Sequence, residues 1–224
     1  MNKYFYIAGL LFLAFSFELK ANEWVLYKSF SSENINIYYR VPSEEPSLVE
    51  FRGETIVQSN LTKLVAVIRD VELMHEWVYQ VKSAKTDELV SDTERYTHIV
   101  HDAPIWGLKA RDSYVYSSVK QDPVTLEVTF TGKSAPDHKG VDARYERIKK
   151  GRSYWKFIPL DSEHTKAIFQ GYGDPGGYIE KVMFSFLVKQ FLWRLPYETL
   201  RDLKKQVGKE RYKNIRFSFI QDLK

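Results

Sequence analysis

Hydrophobic and polar residues alternate along two early stretches, NINIYYRVP (34–42) and LVEFRGETIVQ (48–58), both rich in β-branched and aromatic side chains. Period-two alternation predicts strands, and PSEEPS (42–47) between them reads as a turn. The pattern then changes. Leu61, Leu64, Val65, Ile68, Val71 and Met74 follow helical spacing, with Ser59 or Asn60 placed to cap the helix. Asn60-Leu61-Thr62 also matches a glycosylation sequon, but the helix cap is the stronger reading. From Ala84 to Gln170 the chain reads as strand: DELVS, RYTHIVHD, RDSYVYSSVKQ, TLEVTFTGKS, ARYERIKKGRSYWKFIPL and HTKAIFQGY. Short turns join these segments, at KQDPV, SAPDHKG and PLDSEH among others, and predict an antiparallel meander. A last helix is expected from Gly177 to about Arg211. Its apolar stripe is Ile179, Val182, Met183, Phe186, Leu187, Phe191 and Leu195, continued by Leu200, Leu203 and Val207. Pro196 should kink or interrupt it. Lys204, Lys205, Lys209 and Arg211 make its far end basic.

Between the last strand and that helix lies QGYGDPGGYIE, in which Gly171, Gly173 and Gly176 match G-x-G-x-x-G. A dinucleotide site needs those glycines inside a βαβ unit with an acidic residue at the end of the following parallel strand. Here the preceding strands are antiparallel, no parallel strand follows, and Glu198 falls within the helix. The stretch therefore reads as a strand-to-helix corner, with Asp174 as N-cap and Pro175 in the first turn. Two strands, a helix, six strands and a long helix make an α+β helix-grip fold. In it a curved antiparallel β-sheet wraps a long C-terminal α-helix and encloses a hydrophobic cavity.

Composition narrows the setting. The chain has 224 residues, 15% aromatic residues and no cysteine. That fits one domain with a large core and side chains to spare for lining a cavity. MNK followed by the apolar run Tyr4–Phe17 and ELKA resembles a secretory signal peptide. The run is shorter than the roughly 20 residues of a spanning helix. Residues 1–21 are therefore expected to be a signal peptide and 22–224 the mature domain, exported, and periplasmic in a Gram-negative bacterium. Removing Lys3, Lys20 and Glu18 takes a net charge of +4 to +4 − 1 = +3. This mildly basic balance permits transient contact with an anionic membrane surface. Without cysteine there are no disulfides, so stability rests on the core. No P-loop, G-x-S-x-G or nucleic-acid motif is present, and neither a cofactor nor a nucleic-acid partner is expected.

The chain resembles the START lipid-transfer domains, specifically the short exported bacterial members. WVLYKSFSSENINIYYR resembles the opening tryptophan and first strand, and FRGETIVQSNLTKLVAVIRDVELMHEWV the second strand and helix. APIWGLKARDSYVY resembles the proline-tryptophan and Arg-Asp segment. YWKFIPL and GYGDPGGYIEKVMFSFLVKQFLWRLPYETLRDL resemble the closing strands, corner and C-terminal helix. The resemblance implies a monomeric binder or carrier of one hydrophobic, lipid-like molecule, with no cofactor, no chemistry and the C-terminal helix as a lid. An enzyme of the same fold, an aromatase/cyclase or a hydrolase, is the alternative. A protein-interaction module whose hollow is filled by its own side chains is the third reading. Several sterol-binding members carry an arginine six positions after the arginine of the Arg-Asp pair. Ser117 stands there in this chain, which points to a neutral apolar ligand.

Candidate cavity residues follow from the segments expected to face the hollow. Trp106, Arg111, Tyr114, Tyr116, Phe130, Trp155, Phe157 and Phe169 come from the meander. Met183, Phe186, Leu187 and Gln190 come from the last helix. Strand parity puts Tyr114 with Tyr116, and Trp155 with Phe157, each pair on one face. Which face is inner stays open at this level. Parity also separates Arg111 from Asp112, either as members of structural ion pairs or, for Arg111, as a ligand contact. His98 and His101 form H-x-x-H, but on a strand they point to opposite faces and do not make a metal site.

Overall fold

The structure is a computed structural model that describes residues 22–103, 107–174, 176 and 181–224, with side chains of the last stretch described from Leu192 onward. Three strands open the domain, β1 (Val25–Phe30), β2 (Ile35–Arg40) and β3 (Glu50–Gln58). The sequence pattern predicted only the second and third. β1 is an edge strand, largely exposed on both faces, so its residues carry no alternation to read. Helix α1 (Leu61–Arg69) follows, and Asn60 is its cap: the side-chain oxygen accepts from the Lys63 amide at 3.1 Å. The helix stops at Asp70 and gives way to a 3-10 helix, Val71–Glu76.

The meander comprises β4 (Val81–Leu89), β5 (Glu94–His101), β6 (Arg111–Gln121), β7 (Val128–Ser134), β9 (Gly151–Pro159) and β10 (His164–Gly173). The run ARYERIKKGRSYWKFIPL does not form one strand. A two-residue strand, β8 (Glu146–Arg147), pairs parallel with the start of β6, and β9 begins only at Gly151. Among the described residues the sheet has ten strands, in the order β1-β2-β3-β10-β9-β7-β6-β5-β4, with β8 added on β6. The last strand of the meander thus lies antiparallel against β3, with Phe169 opposite Gly53. Register shifts between β4 and β5 mark bulges, which bend and twist a sheet.

Helix α2 (Lys181–Gln206) lies across β2 and β3 and continues without a break through Pro196, contrary to the expected interruption. Gly53 explains the fit. A Cβ there would sit 2.7 Å from Leu200 Cδ1 and 3.0 Å from Pro196 Cβ, so the missing side chain lets the proline turn approach the β3 backbone. Burial of Leu200 and Leu203, both fully enclosed, contributes about 1.5–3 kcal/mol each and offsets the backbone hydrogen bond lost at the proline. Asp174 does not cap this helix. Its carboxylate accepts from the Gly176 amide at 2.9 Å, and Gly176 has φ +65°, outside helical geometry. Pro175 lies outside the described residues.

After α2 the chain turns back along α1. The Tyr212 hydroxyl donates to Asp70 at 2.9 Å, and Asp222 accepts from the Thr62 amide at 2.9 Å. Among the described residues, three of the four basic side chains at the end of α2 have partners in the fold. Lys205 pairs with Asp202 and Lys209 with Glu76, each at 2.6 Å, while Lys204 donates to the Glu33 carbonyl.

Candidate ligand cavity

The concave side of the sheet and the α1 and 3-10 segment enclose a hollow of about 390 Å³, to which Leu195 of α2 also contributes. Its wall is mostly apolar. Trp155 and Phe169 stack at 4.2 Å with their planes 11° apart, Phe51 meets Phe169 edge-on, and Trp77 approaches Trp155 at 6.0 Å. A recess of about 100 Å³ continues it along β5 and β6, sharing Ile99, Val115 and Trp155 with the main hollow.

The faces of β6 settle the parity question. Arg111, Ser113 and Val115 line the main hollow, and Val115, Ser117 and Val119 line the recess. Asp112, Tyr114 and Tyr116 therefore face the other way. Tyr114 stacks on His98 at 4.5 Å beneath the Arg147 guanidinium, and Tyr116 packs on Tyr96. Neither tyrosine is a cavity residue, contrary to expectation, because the concave side took the odd-numbered positions. Trp155 and Phe169 line the hollow, and Phe130 and Trp155 line the recess. Phe157 shares the face of Trp155 but is fully buried among core side chains, beside Phe130. Trp106 lies outside the described residues, as do the side chains of Met183, Phe186, Leu187 and Gln190.

Arg111 and Asp112 have separate roles. Asp112 accepts from Arg147 through two bonds, 2.8 Å and 2.9 Å, and the two side chains are 1% and 3% exposed. That pair, on the convex side, is structural and draws β8 onto β6. Arg111 is buried in the cavity wall and donates to the Lys109 carbonyl. His98 contacts Asp112 at 3.2 Å on the convex side, while His101 contacts Ser113 Oγ at 3.2 Å and lines the hollow. Desolvation pushes the His101 pKa down to about 4, despite the opposing pull of Asp102 and Asp112. The imidazole is therefore neutral at physiological pH. His101, Ser113, Tyr79 and Gln80 were all missed as cavity residues by sequence reasoning. Once Arg111 is placed inside, period two alone gives Ser113, Val115 and Ser117. Tyr79 and Gln80 carry no such signal, because they follow the 3-10 segment in a turn.

The START domain family model matches residues 15–140, more than half of the sequence. This chain is a START domain. Comparison with curated proteins finds no match. Among solved structures, the STAR-related lipid transfer protein of Xanthomonas axonopodis (fragment 25–204) has 26% identity to this START domain. It covers 83% of this chain and 99% of that one, with a TM-score of 0.72. Human StAR-related lipid transfer protein 5 is 17% identical over 84% of this chain and 88% of that one, TM-score 0.71. Human STARD10 is 14% identical over 84% and 74%, TM-score 0.70. The two human structures share the fold. This START domain thus has the helix-grip architecture and the hollow that fold provides.

Proposed function

We propose that this START domain binds one hydrophobic, lipid-like molecule in the hollow and carries it without chemical change, as an exported monomer that touches membranes transiently. The observation that carries the reading is the apolar, aromatic-walled cavity with few polar groups, a composition typical of small-molecule sites. At about 390 Å³ it sits near the lower end of the roughly 300–1,000 Å³ such sites span. Burying an alkyl chain there gains about 0.8 kcal/mol per methylene. The 26% identity to a bacterial STAR-related lipid transfer protein supports the same reading.

One feature favours an enzyme. His101 and Ser113 stand at 3.2 Å inside the cavity, the arrangement of a base and a nucleophile. A general base works best with a pKa near the operating pH. The depression of His101 to about 4 makes it a weak proton acceptor, so the pair serves better as a neutral polar anchor. The test is mass spectrometry of lipids extracted from purified protein, followed by transfer between vesicles. A protein that carries no lipid and takes none from vesicles would overturn the binding reading. Release of a cleaved or cyclised product would favour the enzyme.

A further inference from the structure

The inner recess holds positive charge that no carboxylate among the described residues pairs with. Arg95 and Arg69 both line it. Arg40, Arg52, Arg144, Arg147, Arg194 and Arg201 each hold a carboxylate. Among the described residues neither recess arginine has one within ion-pair distance. Arg95 spends a single bond, Nη1 to the Arg69 carbonyl at 3.0 Å, closing the end of α1. That bond orients the guanidinium and leaves most of its five N–H donors unspent. Arg69 lies over the Phe217 and Phe219 rings at 5.4 Å and 5.2 Å, a contact that preserves its charge. Burial and the neighbouring Arg95 both disfavour that charge, and exposed Asp92 offsets them only in part. Two half-buried cations side by side are costly unless an anion joins them.

The register explains why a cation is available at this spot. Arg95 stands directly across the β5–β6 pair from Ser117, whose hydroxyl reaches toward the Arg95 carbonyl at 3.4 Å. An arginine at position 117 would repel it; the serine leaves room beside it. Thr93 and Thr97 add hydroxyls around the recess. Its volume of about 100 Å³ holds a few waters or one small headgroup, and it opens into the apolar hollow.

We propose that the recess is an acid-group site: the ligand is a single amphiphile whose carboxylate or phosphate pairs with Arg95, with its apolar chain filling the hollow behind. This rests on the reading of the hollow as a lipid site and reverses the neutral ligand expected from Ser117. Charge-assisted bonds to a guanidinium are roughly twice as strong as neutral ones. An acid should therefore bind about tenfold or more tightly than the matching alcohol.

The experiment measures displacement of a bound fluorescent fatty acid at pH 8 by oleate, oleoyl lysophosphatidate and oleyl alcohol. The expected result is at least a tenfold preference for one or both acids over the alcohol, and which acid wins identifies the headgroup. In Arg95→Gln, which keeps a donor for the Arg69 carbonyl, that ratio should fall to near one, while Arg95→Lys retains part of it. Ser117→Asp, which supplies an internal carboxylate opposite Arg95, should erase the preference by a second route. Equal binding of acids and alcohol by the natural protein overturns the acid site but not the lipid reading. No binding of any probe overturns the lipid reading itself. A preference that survives in both Arg95→Gln and Ser117→Asp overturns the assignment to Arg95.

Discussion

Asp112→Ala should be among the most destabilising single changes in the domain, without affecting ligand affinity. The side chain is 1% exposed and holds Arg147, itself 3% exposed, through bonds of 2.8 Å and 2.9 Å. Removing it leaves the buried guanidinium with no carboxylate among its described hydrogen-bond partners, which are then the carbonyls of Pro136, Lys139 and Gly140 at 2.7–3.2 Å. His98 loses its 3.2 Å contact as well. Breaking one side of a buried pair costs about 3–5 kcal/mol, mostly because an uncompensated charge stays behind. That is a large share of the roughly 5–15 kcal/mol by which domains are stable. With an m-value near 2 kcal/mol/M, the urea midpoint should fall by roughly 1.5–2.5 M. Arg147→Met removes the charge itself. The double variant should therefore be more stable than the sum of the single losses predicts, a coupling read from the double-mutant cycle. Ligand retained under native conditions should be unchanged, since Asp112 faces away from the hollow. A loss below about 1 kcal/mol, or additive single effects, would refute the claim that Asp112 exists to neutralise Arg147.

Three further outcomes follow from the same geometry. The His101 pKa of about 4 lies below the ordinary 6.5, so the unfolded state takes up the proton first as pH falls. Its contribution is present above pH 6.5 and lost down to about pH 4, at most about 3 kcal/mol; urea titrations of His101→Gln should show a shallower decline over that window, and an identical decline removes His101 as the cause. Gly53→Val should cost about 1–3 kcal/mol by pushing on the buried Leu200 and Pro196, measured by thermal or urea unfolding; a neutral result would mean α2 shifts freely on β3. Val115→Trp should fill the hollow and abolish ligand carry-over in native mass spectrometry, whereas Tyr116→Trp on the opposite face should not, and the reverse result would invert the assignment of the β6 faces.

Local periodicity was enough to place β2, β3, β5, β6, β7, β10 and both helices, but only the end of β4, and it ran β8 and β9 together. Alternation and helical spacing are properties of neighbouring residues, and a half-buried element shows them wherever it packs. The glycine cluster at 171–176 was legible as a corner for the same reason, since the antiparallel order of the flanking segments excludes a dinucleotide unit. What depends on contacts between distant residues was not legible. β1 is an exposed edge and shows no pattern. Strand β8 exists because Arg147 meets Asp112, 35 positions away. Helix α2 passes through Pro196 because Gly53 lies beneath it. Parity paired Tyr114 with Tyr116 correctly, but the inner face of β6 is chosen by which side of the sheet the helices cover. The cation of the recess was hidden for a related reason. Residue 117 was read as the place where a charge is missing, whereas the β5–β6 register sets Arg95 directly across from it. One strand's sequence defines its two faces; only pairing and packing decide which face meets the ligand and which side chains it finds there.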